Sequence, residues 1–151
     1  MDAIDREILA LLQEDGRITL TDLAERVRLS LSRCQRRVRE LERTGVITGY
    51  QAKVNPAALG LGFEVLVFAT LSRPEMLSEF DQAVAAIPEV IEAQRLFGEP
   101  DYVLRVVTAS HTAYQQLYDE SLAHLPGLRG LRSTILMKQV VPRRPLPTQV
   151  R

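Results

Sequence analysis

The residues best suited to chemistry are arginines concentrated between positions 26 and 43. Seven arginines lie in this stretch against two acidic residues, Glu40 and Glu42, so it carries a local charge of +5. The whole chain of 151 residues is neutral, with 19 basic and 19 acidic residues. A neutral protein has no overall field that attracts a polyanion, so nucleic-acid binding would have to depend on this local cluster.

Helical spacing divides the cluster into two faces. Cys34, Val38 and Leu41 follow at i, i+4 and i+7, which predicts one inward face. Cys34 is therefore interpreted as a small core residue rather than a redox switch. The outward side chains are Ser32, Arg36, Arg39 and Arg43, flanked near the helix start by Arg33 and Gln35.

Arginine and glutamine on an exposed helix can read DNA. Arginine donates two parallel hydrogen bonds to guanine, and glutamine pairs similarly with adenine. Because the N-terminal part of a recognition helix meets the base edges, the predicted base readers are Ser32, Arg33, Gln35 and Arg36. The predicted phosphate contacts or salt bridges belong to Arg26, Arg28, Arg37, Arg39 and Arg43. The alternative is a solvated charged helix without a nucleic-acid partner.

The elements that must position these arginines are predicted to be three short helices. The first covers about residues 2–13, where apolar residues recur at helical spacing. Thr19 can cap the second, with Asp22 three residues on. Ser30 can cap the third, which ends at Gly45. A short helix, a tight turn and a capped basic helix are together typical of a helix-turn-helix.

The rest of the chain alternates between β-rich runs and helices. The predicted strands cover residues 63–71, 90–97, 102–108 and 131–141, and the predicted helices cover 75–87 and 111–125. This order is that of the ferredoxin-like βαββαβ motif. The first strand is almost continuously apolar, which predicts burial on both faces, either within one subunit or between helices and a second subunit.

The fold class predicted from these patterns is α+β. The predicted domains are a winged helix-turn-helix at 1–52, a linker at 53–62, a ferredoxin-like domain at 63–141 and a mobile tail at 142–151. The wing, or small strand, would be formed by Val46, Ile47 and Tyr50.

A second group of residues suited to chemistry lies between two predicted strands. It consists of Gly98, Glu99, Pro100, Asp101 and Tyr102, to which Thr134 near the last strand could add a hydroxyl. Backbone N–H groups could meet a carboxylate, and an acidic side chain could meet an ammonium group, so both charges of an amino acid would be paired. Spacing alone favours the plainer alternative of a hairpin turn, since Gly, Pro and Asp are ordinary turn residues.

Other classes of function find less support. The chain has no phosphate-binding glycine loop, nucleophile motif or HExxH pattern, and the two histidines lack a cysteine cluster, so no metal or cofactor is expected. An enzyme on the ferredoxin-like fold and a metabolite-binding module without DNA binding remain as alternatives. With no signal-peptide pattern and no apolar run near the roughly 18 residues of a membrane span, we expect a cytoplasmic protein without a membrane partner.

Several motifs resemble one family of regulators. They are Leu20-Thr-Asp-Leu-Ala-Glu-Arg-Val27, Arg36-Arg-Val-Arg-Glu-Leu-Glu42, Gly45-Val-Ile-Thr-Gly-Tyr50 and Gly98-Glu-Pro-Asp-Tyr-Val-Leu104. In this order, and over nearly the whole chain, they resemble the Lrp/AsnC (feast/famine) transcription regulators. Three features depart from the common pattern. Arg28 stands where glycine is frequent, Leu31 stands where proline is frequent, and Glu99-Pro100 is an unusual filling of the ligand-loop motif.

The resemblance implies a function as well as a fold. It implies a winged helix-turn-helix joined to a ferredoxin-like sensing domain, the RAM domain, in a sequence-specific DNA-binding transcription regulator that is not an enzyme. Its assembly or affinity for double-stranded DNA would respond to a small effector, an amino acid, bound at the loop of Gly98 to Tyr102. It would form homodimers through the second domain, which assemble into octamers or larger rings.

Overall fold

A computed structural model describes residues 1–148 of the chain, apart from the side chain of Pro74. These residues form two compact units. The first contains Met1–Lys53 together with the segment that begins at Val140, and the second contains Val54–Gln139. The backbone therefore passes from one unit to the other twice, and the segment predicted to be a mobile tail packs with the N-terminal helices.

Three helices build the first unit. They are α1 (Ala3–Glu14), α2 (Leu20–Arg26) and α3 (Leu31–Arg43). Asp2 caps α1 through a reciprocal pair of 2.9 Å hydrogen bonds with Asp5. The hydroxyl of Thr19 accepts the Asp22 N–H, as predicted for α2. Ser30 precedes α3 as predicted, but its side chain makes no capping hydrogen bond.

The turn between α2 and α3 requires a left-handed residue. Arg28 takes this conformation, with φ 55°, and the Leu29 N–H then bonds to the Ala24 carbonyl at 2.9 Å. Glycine adopts such a conformation without steric cost, whereas a residue with a Cβ is strained. The frequent glycine at this position thus has a physical reason, and Arg28 satisfies the geometry at a cost.

The segment after Gly45 is a bend followed by chain without regular secondary structure. The prediction of a small strand at Val46, Ile47 and Tyr50 was wrong. The Ile47 N–H bonds back to the Leu41 carbonyl at the end of α3. A strand needs a neighbouring strand to satisfy its backbone, and the described residues of the first unit offer none.

The second unit is a four-stranded antiparallel sheet with helices on one face. Its elements are β1 (Phe63–Leu71), α4 (Leu77–Ala85), β2 (Val90–Arg95), β3 (Tyr102–Thr108), α5 (His111–Glu120) and β4 (Leu128–Ile135). The strand order is β2-β3-β1-β4, so the predicted βαββαβ arrangement is confirmed. Single 3-10 turns lie at Pro56–Leu59, Pro74–Met76 and Leu122–His124.

Several predicted boundaries differ from the structure. Helix α4 is shorter at both ends than the predicted 75–87, and β2 ends at Arg95 instead of residue 97. The last strand begins earlier than predicted, because Leu128 pairs with Leu71 beyond a register shift in β1. The last strand also ends earlier than predicted, because its partner β1 begins at Phe63. The Leu136 N–H makes the final hydrogen bond between the two strands, to the Glu64 carbonyl. The helix predicted to reach residue 125 ends at Glu120, where Ser121 leaves the helical conformation.

The two faces of the sheet differ in burial. Val65, Val67 and Ala69 of β1 are fully buried with Leu104 and Val106 of β3 against α4 and α5. Alternate residues point to the opposite face, which we call the open face. The open-face residues Leu66, Phe68 and Val103 are only partly buried. In the single chain β1 is therefore buried on one face and not on both.

Candidate nucleic-acid interface and effector site

The two faces predicted for α3 are present in the structure. Cys34, Val38 and Leu41 are buried in the core of the first unit. Burial raises the pKa of the Cys34 thiol, which suits the interpretation of a core residue. Gln35 is half buried, and the exposed residues on the helix include Ser32, Arg33, Arg36, Arg39 and Arg43.

Arg37 connects α3 to the beginning of α1. Its Nη1 atom donates to Asp5 Oδ1 at 2.7 Å and to Asp2 Oδ2 at 2.9 Å. These hydrogen bonds, the one to Asp5 first, raise the pKa of the guanidinium. The sequence predicted either a phosphate contact or a salt bridge for Arg37. In the structure Arg37 forms salt bridges, which hold α3 against the beginning of α1.

Arg43 is paired in a different way. It donates two hydrogen bonds to the Glu40 carboxylate, one turn earlier on the same helix. Both side chains are more than half exposed. Exposed pairs of this kind contribute little to stability, so Arg43 can exchange its partner for a phosphate at small cost.

The remaining arginines of the cluster make no ion pair with any other described residue. They are Arg26, Arg28, Arg33, Arg36 and Arg39, and all five are exposed. An exposed guanidinium without an internal partner can bind a phosphate or a base edge without first breaking a contact. The arrangement is therefore a basic surface built on α3 and the turn before it.

Asp101 holds the predicted effector loop against the end of β1. Its Oδ2 accepts the Leu71 N–H at 2.7 Å, and its own N–H donates to the Ala69 carbonyl at 3.0 Å. Its carbonyl accepts the Leu96 N–H at 2.7 Å. Within the same loop Gly98 has φ 143°, a conformation that a side chain would strain. The loop is a built structure rather than a loose turn.

A cavity of about 380 Å³ lies beside this loop on the second unit, Val54–Gln139, which we call the sensing unit. It is lined by Phe68, Thr70, Glu99, Pro100, Gly130, Leu131 and Arg132. The guanidinium of Arg132 stacks 4.7 Å from the centre of the Phe68 ring. Glu99 is mostly exposed and pairs with Arg129 at 2.7 Å. The cavity thus offers an apolar surface beside one acidic and one basic side chain.

Tyr102 lies apart from this cavity. Its ring is buried on the helix side of the sheet, and its hydroxyl donates to Asp81 Oδ1 at 2.6 Å and accepts from Arg95 Nε at 3.0 Å. Burial, and then the Asp81 carboxylate, raise the pKa of the phenol. A separate cavity of about 650 Å³ borders these three residues.

The predicted effector residues are therefore only partly brought together. Glu99 and Pro100 line one cavity, with Gly98 and Asp101 in the same loop. Thr134 lies opposite Leu66 on the open face, outside the cavity lining. Sequence reasoning missed Phe68 and Arg132. Strand alternation could have identified them, because Phe68 lies two residues after Leu66 and Arg132 lies two residues before Thr134, which places both on the open face.

A helix-turn-helix with a basic surface and a ferredoxin-like unit with a ligand-sized cavity define a ligand-binding transcription regulator. The family model for winged helix-turn-helix DNA-binding matches residues 1–48. The family model for the Lrp/AsnC ligand binding domain matches residues 64–146. The chain belongs to the Lrp/AsnC family of DNA-binding transcription regulators, as its motifs indicated.

Individual relatives agree with this assignment. The leucine-responsive regulatory proteins of Klebsiella pneumoniae and Escherichia coli K12 are each 41% identical over 142 residues, which is 93% of this chain and 87% of theirs. A transcriptional regulator of Neisseria meningitidis, solved as a complex with L-Met, is 31% identical with a TM-score of 0.92, covering 97% of this chain and 96% of its own. An AsnC family regulator of Agrobacterium tumefaciens is 36% identical with a TM-score of 0.90, covering 97% of each chain.

These relatives are regulators, which decides against the enzyme and against a module without a DNA-binding domain. Among residues 1–148, no cluster of three or more His, Cys, Asp or Glu side chains is placed to hold a metal ion. No helix in the same range has the length and apolar character needed to cross a membrane.

Proposed function

We propose that this regulator reads DNA with the exposed face of α3. The observation that supports this is the division of the helix, with Cys34, Val38 and Leu41 buried and the arginines exposed on the other side. Base contacts are assigned to the N-terminal turns, through Ser32, Arg33, Gln35 and Arg36, because this end of a recognition helix enters the major groove.

The remaining basic residues set register rather than sequence. Arg28, Arg39 and Arg43 are assigned to phosphates, which lie along the edges of the groove. Arg37 acts indirectly, since its pairs with Asp2 and Asp5 hold α3 in place. Loss of Arg37 would then disturb the whole surface instead of removing a single phosphate contact.

The effector is proposed to be an amino acid with an apolar side chain, bound in the cavity beside the loop. Phe68 and Leu131 would contact the side chain, Glu99 the ammonium group and Arg132 the carboxylate. No backbone hydrogen bond among the described residues uses the N–H groups of Gly98 and Glu99, and we propose that they also donate to this carboxylate. Two relatives support the class, one by its name, leucine-responsive, and one by its complex with L-Met.

The remaining predicted effector residues would support this site rather than fill it. Pro100 lines the cavity, and Asp101 fixes the loop through the Leu71 N–H. Tyr102 follows in β3 and anchors the strand on the helix side through Asp81. Thr134 would contribute its hydroxyl from the open face.

The functional unit is proposed to be a homodimer formed through the open face of the sheet, which builds octamers or larger assemblies. Leu66, Phe68 and Val103 are partly exposed there, beside the ion pair of Glu64 and Arg105. An apolar strand with one uncovered face is stabilised when a second sheet covers it. The proposed location is the cytoplasm, where a bacterial-type regulator meets its DNA.

The experiment that tests this function is fluorescence anisotropy on two labelled fragments. One is taken from upstream of the gene itself, and the other is its scrambled form, each titrated with and without a pool of amino acids. We expect tighter binding to the native fragment and a change in affinity with the pool. Binding that is indifferent to sequence would contradict base reading, and binding that is indifferent to the pool would contradict amino-acid sensing.

A further inference from the structure

The C-terminal segment is hydrogen-bonded to α1 of the DNA-binding unit. The side-chain amide of Gln13 makes two hydrogen bonds to the backbone of Leu146. Its Oε1 accepts the Leu146 N–H at 2.7 Å, and its Nε2 donates to the Leu146 carbonyl at 3.2 Å. Two helical turns towards the N-terminus, on the same face of α1, Arg6 Nη1 donates to the Thr148 carbonyl at 2.9 Å. The segment therefore runs antiparallel to α1 and is held at two points.

The sequence of the segment suits this attachment. Leu146 lies between Pro145 and Pro147, and proline has no N–H, so the Leu146 N–H is the one backbone donor of these three residues. Gln13 pairs with that donor and with the acceptor of the same residue. Prolines also restrict the free chain, which lowers the entropy lost when the segment is held. We call Val140–Thr148, held in this way, the clasp.

The clasp changes the charge of the unit to which it binds. Residues 1–53 contain ten basic and nine acidic residues, a net charge of +1. Residues 140–148 contain two arginines and no acidic residue, which adds +2. Residues 54–139 contain six basic and ten acidic residues, a net charge of −4. Most of the excess positive charge of the DNA-binding unit thus comes from the far end of the chain.

Two of these arginines are well disposed to bind an anion. Arg143 and Arg144 are exposed, and neither forms an ion pair with another residue in the range 1–148. They stand between Pro142 and Pro145, which limits the backbone conformations that must be lost on binding. Acidic surfaces on the sensing unit would repel the same polyanion that these arginines attract.

We propose that the clasp is a second part of the DNA-binding surface, in which Arg143 and Arg144 contact phosphates while α3 reads the bases. This rests on the proposed function only in taking DNA as the partner. The contribution is independent of sequence, since phosphate contacts add affinity and counterion release but do not distinguish bases. Removing the clasp arginines therefore weakens binding to native and scrambled fragments alike.

The charge part of the proposal is tested by the salt dependence of DNA affinity for full-length Arg143→Gln/Arg144→Gln. Each lost phosphate contact reduces the slope of log K against log salt by about 0.9, so we expect a slope shallower by about two per subunit. Arg73→Gln is the control, because Arg73 is also exposed but belongs to the sensing unit; it should leave the slope unchanged.

The attachment is tested by hydrogen exchange of the C-terminal peptide in Gln13→Leu, which keeps the size of the side chain but removes both hydrogen bonds. We expect faster exchange at Leu146 and a salt slope between those of the native chain and the double arginine variant. Gln82→Leu, at an exposed position of α4, is the control for the substitution itself.

The outcomes separate this proposal from the function on which it rests. A native chain with steep salt dependence and an unchanged slope in Arg143→Gln/Arg144→Gln would overturn the role of the clasp and leave α3 as the DNA surface. Unchanged exchange at Leu146 in Gln13→Leu would overturn the attachment. A native chain whose binding does not respond to salt would overturn both the clasp and the arginine surface of α3.

Discussion

Arg37 on the recognition helix donates to Asp5 on α1 at 2.7 Å, so the helix that carries the DNA-binding arginines is held by one of them. The same Nη1 atom also donates to Asp2. An arginine facing two carboxylates within its own domain has little left to offer a phosphate. Its importance for DNA binding would come through the orientation of α3.

This relationship separates two kinds of arginine experimentally. Arg37→Met should lower the melting temperature by a few degrees and weaken DNA binding without changing the salt slope, because no phosphate contact is lost. Arg36→Met should leave the melting temperature unchanged and weaken DNA binding through the loss of a base contact. Thermal unfolding measures the melting temperatures of the two variants, and anisotropy over a salt series measures the salt slopes of their DNA affinity. A shallower slope for Arg37→Met would show that Arg37 contacts phosphate.

The same cluster predicts a response to acid. The Asp5 N–H, and then the Arg37 guanidinium, hold the pKa of the Asp2 carboxyl below its ordinary value, with burial acting in the opposite direction. The folded carboxyl then binds its proton more weakly than the unfolded one. Its contribution to stability is complete above the ordinary pKa and is lost as the pH falls through the lower folded value.

Asp2→Asn isolates that contribution, since asparagine keeps the N-cap hydrogen bond but not the charge. The variant should melt below the native chain at neutral pH, and the difference should disappear in strong acid. Melting curves between pH 7 and about pH 2 provide the measurement. A difference that persists at the acid end would show that the charge of Asp2 is not its cause.

Arg28 allows strain and charge to be measured at one residue. It is a residue with a Cβ at φ 55° in the turn before α3. A left-handed residue of this kind costs roughly 1–2 kcal/mol, so Arg28→Gly should raise the free energy of unfolding by about 1 kcal/mol. It should also reduce the salt slope of DNA binding, because the charge is lost.

Arg26→Gly is the matched variant, two residues earlier at the end of α2. It removes the same charge, but glycine within a helix is destabilising by about 0.5–1 kcal/mol. Denaturant unfolding of both variants should therefore give changes of opposite sign. If both variants were destabilised, the left-handed turn would not be a source of strain.

The effector loop predicts a contrast between two acidic residues. Asp101→Ala removes the acceptor of the Leu71 N–H and should lower stability by about 1–3 kcal/mol, with loss of the effector response as a consequence. Glu99→Gln should abolish the response without altering stability, because Glu99 is mostly exposed. Calorimetric titration with the active amino acid and thermal unfolding distinguish the two. A full response in Glu99→Gln would remove Glu99 from the site.

The sequence was most informative where a simple period applies. Helical spacing identified the buried face of α3 from Cys34, Val38 and Leu41, and apolar character gave the bounds of β1 at Phe63 and Leu71 as the structure has them. Both depend on local repetition, which needs no knowledge of the partner element.

The sequence was least informative where a structural feature depends on a residue that is far away in the chain. The side of the sheet to which Tyr102 points depends on strand register, and the pairing of Arg37 depends on how α1 crosses α3. The end of β4 depends on where β1 begins. Contacts that join residues far apart in sequence, such as Gln13 with Leu146, leave no periodic pattern and could not be predicted.

The most direct test of DNA reading by α3 is the sequence preference of Arg33→Ala/Arg36→Ala. Anisotropy should compare this variant, the native chain and the control Arg73→Ala on the native upstream fragment and on its scrambled form. Each bidentate contact to a base contributes about 1–3 kcal/mol of discrimination. We therefore predict that the ratio of affinities for the native and the scrambled fragment falls at least tenfold in the double variant and does not change in the control. An undiminished preference in the double variant would contradict the placement of base reading on α3.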